Sequence, residues 1–280
     1  MEWLEDHTIP IGKWSEVFVD WLTDDFGWVF DGISFVIAHL VDALLWCLQT
    51  PHPLVIVAIF CGLSWLLRRK AMPVVLTGIG LLFIINQGYW EETTETLALV
   101  IAATSVCMLI GVPLGIAAAR RKWLYSILRP VLDLMQTIPT FVYLIPALIL
   151  FGLGMVPGLI STVIFAIPAP VRLTRLGIAA TPTPLKEAAL AFGATKSQVL
   201  TKIELPYALP QIMAGLTQTI MLSLSMVVIA ALVGADGLGV PVVRALNTVN
   251  VAKGFEAGLC IVILAIVLDR MFRTEGEDTQ

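Results

Sequence analysis

The sequence has few charged residues for its length. Asp, Glu, Lys and Arg make up 14% of the 280 residues, whereas hydrophobic residues make up 58%. A soluble globular domain carries about 25% charged residues. The chain therefore has too little polar surface to be a water-soluble protein, and its composition assigns it to the membrane class.

Patterns of nucleotide, metal and hydrolase chemistry are also missing. The chain contains no GxxxxGK(S/T) loop, no HExxH, no paired-cysteine zinc pattern and no GxSxG. We therefore expect no cofactor or metal in this chain, no enzymatic activity and no nucleic-acid partner. The four scattered cysteines are expected to be small buried hydrophobic residues. The first ten residues, MEWLEDHTIP, lack the apolar core of a cleavable signal peptide.

Two long runs carry no charge at all. Between Asp133 and Arg172 lie 38 residues without Asp, Glu, Lys or Arg, and between Glu204 and Asp236 lie 31. About 20 apolar residues in a helix cross a hydrocarbon core of about 30 Å, and in lipid a helix satisfies its own backbone hydrogen bonds. We predict an all-α integral membrane protein with about seven transmembrane helices, at 51–67, 71–90, 96–119, 134–153, 157–173, 209–233 and 255–271.

The basic residues predict the orientation of these spans. If the spans alternate, 14 of the 17 Lys and Arg residues fall on one side, after the first, third, fifth and seventh spans. By the positive-inside rule that side is the cytoplasm. The N-terminus is then predicted to lie outside and the C-terminus inside, in a bacterial or archaeal cytoplasmic membrane.

The N-terminal segment allows two interpretations. Residues 1–50 hold nine acidic residues and one Lys, which is a poor cytoplasmic flank. Residues 28–48 are apolar but contain Asp31, His39 and Asp42, and a charge at the bilayer centre is costly. We favour an external amphipathic N-terminal segment over 1–50. An additional crossing at 28–48 stays open.

The predicted spans lack buried charges, which argues against a proton- or sodium-coupled transporter. Their polar residues are mostly Gln, Ser and Thr, whose ordinary role is hydrogen bonding between helices. The alternative is that some of them line a polar path. The candidate pathway or gate residues are Gln136, Gln218, Met221, Ser225, Met226 and Leu232.

A charged, helix-forming stretch separates the fifth and sixth spans. Thr183 is predicted as a helix N-cap with Pro184 in the first turn. Gly193 is predicted to end this helix in a left-handed conformation. Thr195 and Gln198 have the spacing of a capping box that starts a second helix, which ends before Pro206. Such an element is either a well-capped connection or a device that carries motion from a soluble partner into the membrane.

This stretch resembles the cytoplasmic signature of ABC importer permeases, EAA-x3-G-x9-I-x-LP. Every fixed position matches with its spacing, at Glu187, Ala188, Ala189, Gly193, Ile203, Leu205 and Pro206. Four further segments are similar to the permeases that import glycine betaine, proline betaine and related quaternary ammonium solutes. They are residues 132–158, 221–239, 9–14 and 261–270.

The resemblance implies an ABC importer permease fold and a defined set of partners. Two copies of the permease form the path through the lipid membrane. Two separate ATPase subunits, which bind ATP and Mg, dock on the coupling loop at 181–207. A separate extracytoplasmic binding protein delivers the small-molecule solute. Glu187, Ala188, Ala189 and Gly193 then belong to the docking helix, whereas Ile203, Leu205 and Pro206 anchor the return to the membrane.

The resulting prediction divides the chain into three parts. These are the external segment 1–50, a transmembrane permease domain at 51–273 and a cytoplasmic tail at 274–280. The predicted function is uptake of a compatible solute such as glycine betaine, coupled to ATP hydrolysis on a partner chain. The alternatives are a stand-alone secondary transporter or channel for a small polar solute, and a membrane scaffold without transport activity.

Overall fold

The structure is a computed structural model that describes residues 10–272, and every regular element in that range is helical. The predicted cytoplasmic tail at 274–280 lies outside the described residues. The helices are α1 (Ile11–Gln49), α2 (Pro53–Arg68), α3 (Ala71–Asn86), α4 (Trp90–Arg120), α5 (Lys122–Thr137), α6 (Thr140–Phe151), α7 (Met155–Ala166), α8 (Pro168–Ala179), α9 (Thr183–Ala191), α10 (Lys196–Val199), α11 (Leu205–Ala231), α12 (Gly239–Asn247) and α13 (Val251–Phe272).

The predicted all-α membrane architecture is confirmed, whereas the number of crossings stays a prediction. Five helical stretches in the described range are long and apolar enough to cross a membrane, or six if α5 and α6 form one bent span. Both α2 and α3 are apolar, but each has 16 residues. That is shorter than the roughly 20 residues of a typical crossing.

The N-terminal segment forms one continuous helix of 39 residues. Residues Gly12–Gln49 are apolar and long enough for a crossing. The C-terminal half of α1 joins the main core through Ile37, Val41 and Leu48, and Gln49 Nε2 donates to Thr94 Oγ1 at 2.9 Å. The first turns of α1 are largely exposed. A surface helix and a crossing both remain compatible with this arrangement.

The predicted span at 134–153 is not one straight helix. The axes of α5 and α6 differ by 97° at the break between them. Ile138 has an extended conformation, with φ −66° and ψ 129°, because the ring of Pro139 disfavours the helical conformation of the residue before it. The amphipathic helix α5 therefore turns sharply into the apolar helix α6.

Close contacts among α4, α8 and α11 form the centre of the bundle. A Cβ placed on Gly115 of α4 would lie 2.7 Å from the Val171 carbonyl oxygen of α8. A Cβ on Gly177 of α8 would lie 2.9 Å from the Ala208 Cβ of α11. Small residues let membrane helices approach closely and gain van der Waals contacts. The two helices that flank the coupling loop, α8 and α11, are thus packed together along the loop's base.

Two further contacts tie the opposite end of α11 to its neighbours. Gly154 N, just before α7, donates to the Val233 carbonyl oxygen at 2.9 Å. Leu238 N donates to Thr96 Oγ1 of α4 at 2.9 Å. Helix α12, which the sequence did not predict, follows directly. This end of the bundle is therefore held by hydrogen bonds as well as by packing.

Candidate coupling site

The first helix of the coupling loop begins one residue earlier than the sequence predicts. Pro182 occupies the N-cap position, and Thr183 is the first helical residue rather than the cap. The backbone of Pro182 is extended, with φ −57° and ψ 129°, and it sets the direction in which α9 starts. Pro184 lies in the first turn, where its missing N–H would have had no helical partner.

Helix α9 presents its side chains outward. None of its nine residues, all of which the structure describes, is buried. Large apolar side chains on and just after this helix have high exposed fractions, at Leu185 (49%), Leu190 (50%) and Phe192 (94%). Glu187 and Ala188 are exposed as well, whereas Ala189 is half-buried. Exposed apolar side chains grouped in this way are typical of a surface that binds another protein.

The predicted left-handed turn at Gly193 is confirmed, with φ +84°. Gly193 N donates to the Leu190 carbonyl at 2.9 Å, and Ala194 N donates to the Ala189 carbonyl at 3.0 Å. These bonds satisfy the last carbonyl groups of α9. A Cβ on Gly193 would have no heavy atom within 4 Å. Glycine is required here for its backbone conformation and not for lack of space.

The predicted capping box at the start of α10 is also confirmed. Thr195 N donates to Gln198 Oε1 at 2.7 Å, and Gln198 N donates to Thr195 Oγ1 at 3.3 Å. Two backbone N–H groups that lack helical partners are thereby satisfied.

The second helix of the loop does not end before Pro206. Helix α10 continues through a π-helical turn at Leu200–Glu204 into α11, so that Lys196–Ala231 forms one helical stretch of 36 residues. In a regular α-helix the proline ring clashes with the carbonyl group four residues earlier. The wider π turn ends at Glu204, two residues before Pro206, and local π adjustments satisfy the backbone groups that a proline frees in a membrane helix.

The signature residues divide into an outer and an inner group. Glu187, Ala188 and Gly193 are exposed at the tip of the loop. Ile203 and Leu205 are half-buried at its base, while Pro206 is exposed. Leu205 packs against a buried cluster of Ile178, Ala208 and Ile212. The outer group is available to a partner, and the inner group is joined to the bundle.

Glu204 is a residue of this loop that the sequence analysis missed. It occupies the variable position of the I-x-LP block, and its side chain is 9% exposed. Glu204 Oε2 lies 3.1 Å from Arg120 Nη2, and Glu204 Oε1 lies 3.3 Å from Lys186 Nζ. The available signal was an acidic residue among the apolar residues that lead back into the membrane.

A second ionic cluster connects α5 with α8. Arg172 Nη2 donates to Asp133 Oδ1 at 2.6 Å, and Arg172 Nη1 donates to Gln136 Oε1 at 3.1 Å. The guanidinium of Arg175 lies 3.5 Å from the ring centroid of Tyr125, within the range of a cation–π interaction. The candidate pathway residue Gln136 is thus a half-buried partner of Arg172.

The other candidate pathway residues lie on α11 or just after it, and they do not all share one face. Gln218, Ser225 and Leu232 are spaced by seven residues, which places them on one side of the helix, and all three are exposed. Met221 is half-buried beside them, and its carbonyl oxygen accepts from Ser225 Oγ at 3.0 Å. Met226 is 1% exposed and belongs to the interior of the chain.

A family model described as "Binding-protein-dependent transport system inner membrane component" matches residues 111–274. This match spans more than half of the chain and includes the whole coupling loop. The chain belongs to this family. It is a membrane transport component and not an enzyme, and the permease prediction is favoured over a stand-alone transporter or a scaffold.

Bacterial permeases resemble this family member along nearly all of its length. The glycine betaine transport system permease protein OpuAB of Bacillus subtilis (strain 168) is 45% identical, over 94% of this chain and 93% of the relative. The glycine betaine/carnitine transport permease protein GbuB of Listeria monocytogenes is 46% identical, over 94% of each chain. The glycine betaine/proline betaine transport system permease protein ProW of Escherichia coli (strain K12) is 42% identical, over 97% of this chain and 77% of the relative.

Solved structures show the same fold. Two crystal forms of inward-facing conformations of the MetNI methionine ABC transporter superpose with TM-scores of 0.57 and 0.58, at 24% and 23% identity. The matches cover 62% and 68% of this chain, and 88% and 93% of the solved chains. The helical bundle of this permease is therefore that of an ABC transporter membrane subunit.

Proposed function

We propose that two copies of this chain form the path of an ABC importer for glycine betaine or a related quaternary ammonium solute. ATP with Mg is bound and hydrolysed by two partner ATPase subunits, and a separate extracytoplasmic binding protein delivers the solute. The observation that carries this proposal is the exposed helix α9, displayed between two helices that are packed into the centre of the bundle.

The geometry of the loop supports ATPase docking at 181–207. Helix α9 and the residue after it expose Leu185, Leu190 and Phe192, and contact with a protein groove would remove this apolar surface from water. Glu187, Ala188 and Ala189 lie on the same helix, and the Gly193 turn fixes its end. Since α8 and α11 enter the loop from the bundle, a displacement of α9 acts directly on both helices.

The relatives support the substrate class. Three of them, 42–46% identical, carry names that specify glycine betaine. More distant relatives from Pelagibacter ubique and Ruegeria pomeroyi, 35% and 30% identical, are named trimethylamine N-oxide permeases. Each of these names specifies a small methylated amine compound. We therefore place the substrate of this chain among such compatible solutes, with a role in osmoprotection.

The exposed face of α11 supports a location for the solute path between two copies of the chain. Gln218 and Ser225 present an amide and a hydroxyl group on this face, and Leu232 adds an exposed apolar side chain just after the helix. In a pair of chains related by a twofold axis, the same face is present twice. Two facing copies of α11 would line a path that contains uncharged polar groups, suited to a solute without net charge.

Reconstitution tests the proposal. The tagged chain is purified together with the ATPase that accompanies it and is placed in liposomes with the binding protein. We expect uptake of radiolabelled glycine betaine that requires ATP on the ATPase side and is insensitive to uncouplers. Uptake by the purified chain alone, driven by a proton or sodium gradient, would contradict the proposal.

A further inference from the structure

Glu204 is an unusual residue for its place in the fold. Within residues 10–272, it and Arg68 are the charged residues that are buried. A buried carboxylate is unfavourable unless it is paired and hydrogen-bonded. Glu204 meets this condition with two cationic partners, Arg120 at 3.1 Å and Lys186 at 3.3 Å.

The partners of Glu204 belong to different helices. Lys186 is on α9, and Arg120 is the last residue of α4. Arg120 Nη2 also donates to the Lys196 carbonyl oxygen at the start of α10, at 3.1 Å. Glu204 itself ends the π turn that leads into α11. One carboxylate thus connects the docking helix, the start of the next helix and the end of α4.

This connection matters because α9 has little else to hold it. Helix α9 buries none of its residues. Within the described residues, the ion pair Lys186–Glu204 joins this helix to the rest of the chain. Helix α4 does not adjoin the loop in the sequence. Through Arg120, Glu204 adds an ionic connection between α9 and α4, beside the apolar cluster that Ile116 and Ala119 of α4 share with Leu200 and Leu205.

We propose that Glu204 is a positioning residue for energy coupling. Its carboxylate fixes α9 to the end of α4, so that a displacement of α9 by the ATPase reaches α4 as well as α8 and α11. This inference rests on the proposed function, in which α9 is the docking helix. It assigns to a residue outside the fixed positions of the signature a role in transmitting motion.

The negative charge, and not the size of the side chain, is what this role requires. Glutamine has the same shape and can still accept a hydrogen bond, but it cannot neutralise Arg120 and Lys186. Both cations would then lose the counter-charge that the buried carboxylate supplies. Glu204→Gln should therefore release α9 from α4 while the backbone of the loop stays folded.

The first experiment compares Glu204→Gln with two variants in the reconstituted transporter. Lys186→Gln removes the α9 side of the connection and leaves the Arg120–Glu204 pair. Asp133→Asn is the matched control, because it makes the same acid-to-amide change in the α5–α8 cluster, away from α9. The measurement is radiolabelled glycine betaine taken up per ATP hydrolysed, together with co-purification of the ATPase.

We expect Glu204→Gln and Lys186→Gln to lower the uptake per ATP about fivefold, the upper range for the loss of one partly exposed ion pair. The ATPase should still co-purify, and Asp133→Asn should keep the wild-type ratio. Glu204→Asp, which keeps the charge, should recover most of it. An unchanged ratio in both glutamine variants, or an equal fall in Asp133→Asn, would overturn the proposal. If Glu204→Gln fails to insert into the membrane, the result for Lys186→Gln alone decides the outcome.

A second measurement works on the solubilised chain alone. A spin label is placed at the exposed Ala191 of α9, with exposed Cys47 replaced by Ser. Its mobility should increase in Glu204→Gln and Lys186→Gln and stay unchanged in Asp133→Asn. Unchanged mobility in the two loop variants would contradict the connection itself. Because this readout needs no transport, it separates failure of the connection from failure of the proposed function.

Discussion

At the scale of residues, the glycines of this chain meet two different requirements. Gly193 has φ +84° and open space around it, so the backbone conformation requires it. Gly115 lies in a regular helix, and any side chain there would meet Val171 and Thr174 of α8. The sequence revealed the first requirement because Gly193 follows a helical pattern. It could not reveal the second, which depends on which helix packs against α4.

The first prediction concerns Gly193. Gly193→Leu forces a branched side chain into a left-handed conformation, which is unfavourable by about 1–2 kcal/mol. It also adds bulk beside the docking surface. We expect normal insertion, weaker co-purification of the ATPase and reduced uptake of radiolabelled glycine betaine.

Gly193→Asn is the matched control, since asparagine tolerates the left-handed conformation better than other residues with side chains. It should keep most of the activity. Normal transport by Gly193→Leu would show that the turn is not part of the docking element.

The second prediction concerns Gly115. A Cβ there would lie 2.7 Å from the Val171 carbonyl oxygen, and overpacking typically destabilises by about 1–3 kcal/mol. Gly115→Val should lower the thermal unfolding temperature of the purified chain in detergent. Gly62→Val is the control, because a Cβ on Gly62 meets nothing within 4 Å. Equal unfolding temperatures for the two variants would argue against close packing of α4 on α8.

At the scale of elements, local sequence patterns predicted the starts and turns of helices better than they predicted where the helices bend or continue. The capping box at Thr195 and the turn at Gly193 depend on residues within one or two turns, and both are present. The span predicted at 134–153 is broken before Pro139, although this proline is present in the sequence. A bent helix and a straight helix have the same apolar composition, so hydropathy alone did not reveal the break.

The π turn before Pro206 shows the same limit. Proline at the end of a helical pattern usually indicates a boundary, and here the chain passes through it in a continuous helix. What decides between the two outcomes is packing, because Leu200 and Leu205 both contact the cluster around Ile178. That contact is between segments more than 20 residues apart, which no local pattern contains.

The third prediction concerns the start of α10. Thr195→Ala removes the side-chain acceptor for Gln198 N, and loss of such a cap typically weakens a helix by about 1 kcal/mol. Amide hydrogens at 196–200 should exchange faster with deuterium, whereas those in the middle of α11 should not change. Thr248→Ala serves as the control, because Thr248 ends a helix elsewhere and its hydroxyl donates to the Arg244 carbonyl of the same helix. Unaltered exchange at 196–200 would mean that the capping box does not hold this turn.

At the scale of the whole molecule, the family match and the central packing coincide. The matched residues, 111–274, include α8, α9 and α11 and the end of α4 that contacts them. Helices α1 to α3 precede that range. The sequence indicated the membrane class and the coupling loop, because composition and a spaced signature are recognised in a sequence without knowledge of the fold. It did not determine how α1 relates to the bilayer, since its acidic and apolar residues alternate along one long helix.

The fourth prediction concerns the N-terminal segment. Residues 1–50 hold one Lys and no Arg, and a segment so poor in basic residues favours the external side. In intact cells, Thr23→Cys should react with a membrane-impermeant maleimide added outside. Ala191→Cys, in the coupling loop, should react only after the membrane is permeabilised. Both residues are exposed, and Cys47 is replaced by Ser in both variants. Protection of Thr23→Cys in intact cells would instead indicate that α1 crosses the membrane.

The continuous helical stretch from Lys196 to Ala231 contains 36 residues and is about 54 Å long at the rise of an α-helix. Its length exceeds the hydrocarbon core of a bilayer, which is about 30 Å thick. If one end is held, a tilt of about 10° moves the other end by roughly 9 Å. The far end adjoins Val233, whose carbonyl holds Gly154. In the proposed importer, a tilt imposed where the ATPase docks would therefore carry the hydrogen-bonded start of α7 along with the far end of the stretch.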